Sequence, residues 1–154
     1  MADSSILERI LLLDLDRGGE IVAQYNPKEF QVDKAATWNV TPSKGDVPEL
    51  TFASSDPKTL AFELFFDGYE QREDVQKLYV GPLQRLTLVM ASDQGEQWMR
   101  PPRVALIWGR DVRFQGVIQS ISTKYTMFLP GGVPVRATCA VKMMEVGRAH
   151  GRKA

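Results

Sequence analysis

The chain has 154 residues, 44% of them hydrophobic and 25% charged, a composition typical of one globular domain with a core of its own. Its 19 basic and 19 acidic residues give a net charge of zero, so no overall positive field favours nucleic acid, and little charge opposes self-association. No apolar run reaches the roughly 18 residues of a membrane span, and the acidic N-terminus "MADSSILERI" is unlike a signal peptide, which predicts synthesis in the cytoplasm.

The first half of the chain is predicted to consist of strands. "ILERILLLDLD" and "RGGEIVAQYNP" predict two strands joined at Gly18-Gly19. "YNPKEFQVDKAATWNV" begins with a turn at Asn26-Pro27 and runs extended through Trp38, and the polar loop "TPSKGDVPE" precedes "LTFAS". "TLAFELFFDG" alternates large apolar residues with other residues, as a half-buried strand does, except that Phe65 interrupts the polar face.

One helical segment is predicted between Glu73 and Met90. Apolar residues recur there at steps of three and four: Val75, Leu78, Tyr79, Leu83, Leu86 and Val89. Gly81-Pro82 interrupts this stripe, which predicts two short helices or one kinked helix. Residues 91–102 follow as a loop, and "RVALIWG" resumes the strands.

Residues 112–143 predict a long amphipathic β-hairpin. In its first strand, one face is expected to carry Val117, Ile121, Thr123, Tyr125 and Met127, and the other Ser120, Ser122, Lys124 and Thr126. In its second strand, Val135, Ala137, Cys139, Val141 and Met143 oppose Arg136, Thr138 and Lys142. The connection "FLPGGVP" combines prolines, which fix φ, with glycines, which accept positive φ, so we expect a stiff apolar tip suited to contact. The alternative is an ordinary turn whose Phe128 and Leu129 fold back onto the core.

The predicted domain covers residues 1–146, and the short basic segment 147–154 is expected to be a flexible tail. The chain's one histidine, His150, lies in that tail, so no histidine-based triad or histidine-rich metal site is predicted on the fold. Cys139 is the single cysteine and lies on an apolar strand face, which favours a buried residue over a nucleophile.

Acidic residues cluster before the predicted helix, at Asp67, Glu70, Glu73 and Asp74. They permit a carboxylate hydrolase or metal site, but a turn at the first two and favourable charge at the helix N-terminus from the last two explain them better. The glycine pairs lack the spacing of a phosphate-binding loop. We therefore predict no catalytic, cofactor-binding or metal-binding residue and no enzymatic activity.

Tryptophans and arginines between positions 98 and 113 raise a single-stranded nucleic-acid-binding module as an alternative. The residues concerned are Trp98, Arg100, Arg103, Trp108, Arg110 and Arg113. Asp93, Glu96 and Asp111 are interspersed among them and the chain is not basic, so a solvated or interface surface is favoured.

Five motifs in order resemble the tube-domain adaptor proteins of contractile injection systems, which are related to phage tail proteins. They are "VAQYNPKEFQVDKAATW", "PELTF", "TLAFELFFDG", "RPPRVALIWG" and "FQGVIQSISTKYTMFLPGGVPVRAT", spread over residues 20–143. The resemblance implies a mainly β (α+β), tail-tube-like antiparallel β-sandwich or barrel with one helical segment and the long hairpin.

The same resemblance implies a structural role in a homohexameric ring at the baseplate, with the spike or hub protein on one side and the tube protein on the other. An inner tube or tube-terminator subunit of the same machine is the alternative. Relatives commonly carry a C-terminal peptidoglycan-binding-like (LysM) module, which is not recognised here, so how the chain would dock onto baseplate wedge proteins is left open. No membrane or specific nucleic-acid partner is expected.

In such a ring, hairpins of neighbouring subunits line an inner barrel and their tips contact the next layer. The expected contact residues are Phe128, Leu129, Pro130, Val133, Pro134 and Arg136. The expected lumen-facing residues are Ser120, Ser122, Lys124 and Thr126.

Overall fold

The computed structural model describes residues 8–89 and 100–146, and within them the fold is mainly antiparallel β-structure. The strands are β1 (Leu11–Asp14), β2 (Glu20–Val22), β3 (Gln31–Asp33), β4 (Ala36–Thr41), β5 (Glu49–Ser55), β6 (Thr59–Asp67), β7 (Val104–Trp108), β8 (Val112–Phe128) and β9 (Pro134–Glu145). This confirms the predicted fold class, with one helical segment and a long hairpin formed by β8 and β9. The predicted tail, residues 147–154, lies outside the described residues.

Seven strands form one sheet in the order β2-β1-β7-β8-β9-β6-β3, and β4 and β5 form a separate two-stranded sheet. The larger sheet is curled, and Gln24 connects its two sides. This residue lies just after β2 and bonds to the backbone of Asp67 at the end of β6. The Gln24 amide donates to the Asp67 carbonyl at 2.7 Å and accepts from the Asp67 N–H at 2.8 Å. One side-chain amide thus replaces a backbone pair and joins the two sides of the sheet.

The core lies on the inner face of this curled sheet. The alternation predicted in β6 is confirmed, since Leu60, Phe62, Leu64 and Phe66 are buried. In β9 all five predicted apolar positions are buried: Val135, Ala137, Cys139, Val141 and Met143. β6 pairs with β9 along its length, which places these two rows of buried side chains next to each other, and together they form one side of the core.

The helical segment closes the core and is shorter than predicted. A π-helical turn (Gln76–Val80) continues directly into α1 (Gly81–Arg85). The Gly81 N–H bonds to the Gln76 carbonyl, five residues back, and Pro82 in the next position has no N–H to donate, so the helix widens where the sequence predicted an interruption. Val75, Val80 and Leu83 are buried, whereas Leu78 and Val89 of the predicted stripe are exposed.

The face predicted for the residues of β8 before Ser120 is wrong. Ile118 is buried and pairs with Met143, whereas Val117, which we placed on the same face as Ile121, is only partly buried. The register shifts between Ile118 and Ser120, so Ile118 and Ile121 both face the core although they are three positions apart. A β-bulge at Gln119 is the reason, because it adds one residue to β8 opposite β9 and changes which residues face inward.

Gly116, just before this bulge, lies where β8 and β9 approach closely. A Cβ atom built at this position would lie 2.0 Å from the Met144 carbonyl oxygen. The two nearest atoms belong to the Met144 backbone, which cannot move aside as a side chain can, so only glycine fits without separating the strands.

Candidate assembly surfaces

The outer face of β8 carries a row of exposed polar side chains beyond the bulge. Ser120, Ser122, Lys124 and Thr126 are all exposed, while the residues between them are partly buried. Their strand pairs with β9, whose outward side chains at this level include Thr138 and Lys142. The outer faces of the two strands together form a polar sheet surface.

A groove of about 1040 Å³ crosses this outer face where β6, β9 and β8 lie side by side. The segment from Tyr25 to Glu29 forms one wall, and Tyr25 packs against Phe65 with ring centroids 5.8 Å apart. This contact explains Phe65, the apolar residue that interrupts the polar face of β6. The lining includes Glu63 and Lys142, one acidic and one basic residue of the neighbouring strands β6 and β9.

One edge of β8 is unpaired over most of its length in the described residues. Its pairing with β7 extends only from Val112 to Gly116, whereas its pairing with β9 continues to Phe128. The edge from Val117 onward therefore presents free backbone N–H and C=O groups, the type of edge that pairs readily with another strand.

The tip of the β8–β9 hairpin is a tight turn that holds apolar side chains outward. Gly131 and Gly132 have φ of +110° and +88°, as the sequence predicts, and the Leu129 N–H donates to the Val133 carbonyl at 2.8 Å. Phe128 is 55% exposed, and its ring lies beside that of Tyr125, with ring centroids 6.3 Å apart. Phe128 thus does not fold back onto the core, while Leu129 is partly buried.

Below the tip, Arg136 is held by Asp67. The Arg136 Nη2 atom lies 3.2 Å from the Asp67 carboxylate, and both side chains are partly exposed. The ion pair links the base of the hairpin to the end of β6. Pro134, the other predicted contact residue of this strand, is partly buried at the start of β9.

The sequence analysis missed the hairpin formed by β4 and β5. Trp38 pairs across the strands with Phe52, and Val40 with Leu50, so one face of this hairpin is apolar and carries no charge. These four side chains are 52% to 61% exposed, and every residue from 31 to 55 is exposed. Alternating apolar residues in "ATWNV" and "ELTF" were the available signal.

The root of this β4–β5 hairpin is fixed by polar contacts. The Asp56 N–H donates to the Ala35 carbonyl at 3.0 Å, and the Asp56 carboxylate accepts from the Thr37 hydroxyl at 3.1 Å. Lys34 donates to Ser55 at 2.7 Å and to the Asp56 carbonyl. The hairpin therefore projects in a defined direction although no other described part of the chain covers its faces.

Asp67 and Asp74 of the acidic cluster, and Cys139, have structural roles that explain their positions. Asp67 bonds to Arg136 and to the Tyr69 N–H, and Asp74 accepts from the Gln76 N–H at 2.9 Å at the start of the helical segment. Burial raises the pKa of the Cys139 thiol, although a contact with Thr123 acts in the other direction, so the thiol stays protonated. In residues 8–89 and 100–146 no group of three metal-ligating side chains occurs.

The tryptophan and arginine cluster does not form a stacking surface in the described residues. Arg100 and Arg103 both bind Asp16, and Trp108 packs against Phe30 while its indole N–H donates to the Glu8 carbonyl at 3.0 Å. Trp98 lies outside the described residues. None of the described helices has the length and apolar composition needed to cross a membrane.

Comparison with protein-family models matches residues 14–154, nearly the whole chain, to the model described as contractile injection system tube protein. A search among curated proteins finds no match.

Proposed function

Because the chain belongs to the contractile injection system tube proteins, we propose that six copies form a ring on the axis of a phage tail-like particle. The family supports a structural role in such a particle, together with other tail components. The ring would lie in the baseplate, with the spike or hub protein on one side and the inner tube protein on the other. Such a role is non-enzymatic, and assembly would take place in the cytoplasm.

The observation that carries this proposal is the free edge of β8. An edge of this length, unprotected in the described residues, favours a strand from another chain, and in a closed ring every copy covers the edge of the next. The opposite margin of the sheet ends in β3, whose outer edge is unpaired in the described residues. We therefore place the β8 edge of one copy against the β3 margin of its neighbour.

This arrangement turns the polar outer face of β8 and β9 toward the axis. Ser120, Ser122, Lys124 and Thr126 would then line the lumen, where water or cargo replaces protein contacts. The apolar tip with Phe128, Leu129, Pro130 and Val133, and with Pro134 and Arg136 at its base, would contact the adjacent layer. Baseplate wedge proteins would meet the periphery of the ring.

Hydrogen exchange is expected to distinguish the two strands of the long hairpin. In free protein, about half of the amides from Val117 to Phe128 should exchange rapidly, because alternate N–H groups of a strand point to opposite edges. The amides of β9 should be protected, since β9 lies between β8 and β6. In assembled particles, the exposed β8 amides should become protected, and continued rapid exchange there would contradict the ring.

A charged substitution tests whether the tip contacts the adjacent layer. Phe128→Asp should leave the isolated fold intact, because this side chain is outside the core, but should weaken attachment to the adjacent layer by about 2 kcal/mol or more, as loss of a central apolar contact residue does. Thr126→Asp is the matched control, since it adds the same charge to the polar face two positions away. Counting particles with an attached tube by electron microscopy measures the effect, and equal yields for both variants would show that the tip is an ordinary turn.

The family description also fits an inner tube subunit, and a tube-terminator subunit is a further alternative. Cryo-electron microscopy of whole particles separates the possibilities by position. A single layer between spike and tube is expected of the adaptor, many stacked layers of a tube subunit, and a layer at the far end of a terminator.

A further inference from the structure

The β4–β5 hairpin begins at the margin of the sheet that faces a neighbour in the proposed ring. β3 is the outermost strand on this side, and only Lys34 and Ala35 separate it from β4. The fixed root at Asp56 keeps the hairpin on this side of the molecule. Any copy that approaches the β3 margin therefore comes next to the hairpin as well.

Strand register shows which part of that neighbour lies at the height of the hairpin. Thr59 pairs with Asp33 of β3 and with Met144 of β9, and Met144 pairs with Val117 of β8. These four residues therefore mark one level of the sheet. The hairpin extends past this level in the direction opposite to the tip, and the first five residues of β8, Val112–Gly116, extend the same way. In a ring whose strands run along its axis, rotation from one copy to the next keeps these levels equal, so we place the β7–β8 corner of the neighbour, residues 109–113, beside the hairpin.

Charge and polarity match between these two surfaces. The hairpin, residues 36–55, carries Lys44, Asp46 and Glu49, so its net charge is −1 (one basic minus two acidic residues). The corner, residues 109–113, carries Arg110, Asp111 and Arg113, so its net charge is +1 (two basic minus one acidic residue). Val112 between these charges is exposed. An apolar side chain flanked by opposite charge is suitable to receive the uncharged face of the hairpin.

The apolar face of the β4–β5 hairpin is small, which favours a partner that also contacts other parts of this chain. Two half-exposed aromatic rings, Trp38 and Phe52, leave about 150–250 Å² of apolar surface in total. A stable pair of proteins needs about 800 Å² on each side. The hairpin therefore contributes part of a larger interface, as it does if the same two copies also meet along β8 and β3.

We infer that the apolar face of the β4–β5 hairpin docks onto the β7–β8 corner of a second copy of this chain, the adjacent one in the ring. This inference rests on the proposed ring. It assigns the Trp38, Val40, Leu50 and Phe52 face to a lateral contact between identical subunits, separate from the tip that contacts the next layer.

Photocrosslinking in assembled particles tests the partner. A photoreactive residue in place of Leu50 points from the apolar face, and the same residue in place of Thr51 points from the opposite face of β5. Crosslinks from position 50 to peptides containing residues 109–113 of a second copy are expected, with at most weak ones from position 51. Crosslinks to another protein, equal crosslinks from both positions, or none from position 50 would overturn the inference.

An aspartate at either of the same two positions tests how much the hairpin contact contributes to ring formation. Leu50→Asp should lower the yield of rings in particles by about tenfold or more relative to Thr51→Asp, because it places an unpaired charge in an apolar contact. Both isolated variants should unfold as the unaltered protein does, since neither side chain reaches the core. Equal ring yields would overturn the inference. Cryo-electron microscopy keeps the two proposals apart: rings with normal geometry but free hairpins contradict the docking alone, whereas absence of rings contradicts the proposed function as well.

Discussion

Phe66→Ala is expected to lower the free energy of unfolding by about 3–5 kcal/mol, because Phe66 is the largest fully buried side chain among the described residues. Phe66 is fully buried on β6 and its ring is stacked on Tyr79 of the helical segment, with ring centroids 4.9 Å apart and planes within 6°. Removing it leaves a cavity between the sheet and the element that closes the core. Urea unfolding of the isolated protein measures the loss.

Phe65→Ala is the matched control for this substitution, because Phe65 is the next residue of the strand and faces outward at 39% exposure. It should lose only its ring contact with Tyr25, about 0.5–1.5 kcal/mol. Similar losses for the two variants would mean that β6 does not present alternate residues to a core.

Asp16→Asn is expected to destabilise the fold by about 2–3 kcal/mol at pH 7. The Asp16 side chain is 2% exposed and binds two arginines: one oxygen lies 2.9 Å from Arg100, the other 2.9 Å from Arg103, whose backbone N–H also donates at 2.7 Å. The substitution removes the carboxylate charge that both guanidinium groups bind, and the partial exposure of the two arginines keeps the cost below that of a fully buried pair.

The pH dependence of this effect follows from the pKa of Asp16. Burial by itself would raise the pKa, but the hydrogen bonds from Arg100 and Arg103 outweigh burial and hold the pKa well below its usual value of 3.8. A carboxyl whose pKa is lowered on folding contributes stability above its unfolded pKa and loses it as the pH falls. The difference between Asp16→Asn and the unaltered protein should therefore shrink below about pH 4.

Urea unfolding at pH 7 and at pH 3 measures this change. Asp46→Asn is the control, because it removes an exposed carboxylate from the β4–β5 connection and should change the unfolding free energy by less than about 0.5 kcal/mol. If the difference in unfolding free energy between Asp16→Asn and the unaltered protein were the same at both pH values, the role given to the ion pair would be contradicted.

Local patterns predicted the strands that form the core. Every second residue of β6 and of β9 is apolar and buried, so a period of two was sufficient to identify all nine of these positions, although Phe65 interrupts the polar face of β6. The turns at Gly18-Gly19 and Gly131-Gly132 were predictable for a similar reason, since all four glycines have positive φ. The membership in the tube family also follows from residues that lie in order along the chain.

Contacts between distant residues decided the features that the sequence analysis missed. Arg100 and Arg103 belong to the cluster that raised nucleic-acid binding as an alternative, yet both bind Asp16, which is more than 80 positions away. The extra residue at Gln119 leaves no periodic signal in the sequence, and neither does a second register shift between Tyr125 and Met127, which pairs Met127 with Arg136 of the outer face. The faces predicted for β8 were therefore correct only from Ser120 to Tyr125.

The sequence by itself determined which segments are strands, where the chain turns and which side of β6 and β9 is apolar, because these depend on side-chain alternation and on the φ values that glycine and proline allow. Only the tertiary structure decided which surfaces stay uncovered. The free edge of β8 and the exposed face of the β4–β5 hairpin arise from what the rest of the described chain does not reach. Apolar residues in a strand look the same in sequence whether their own chain or another one covers them.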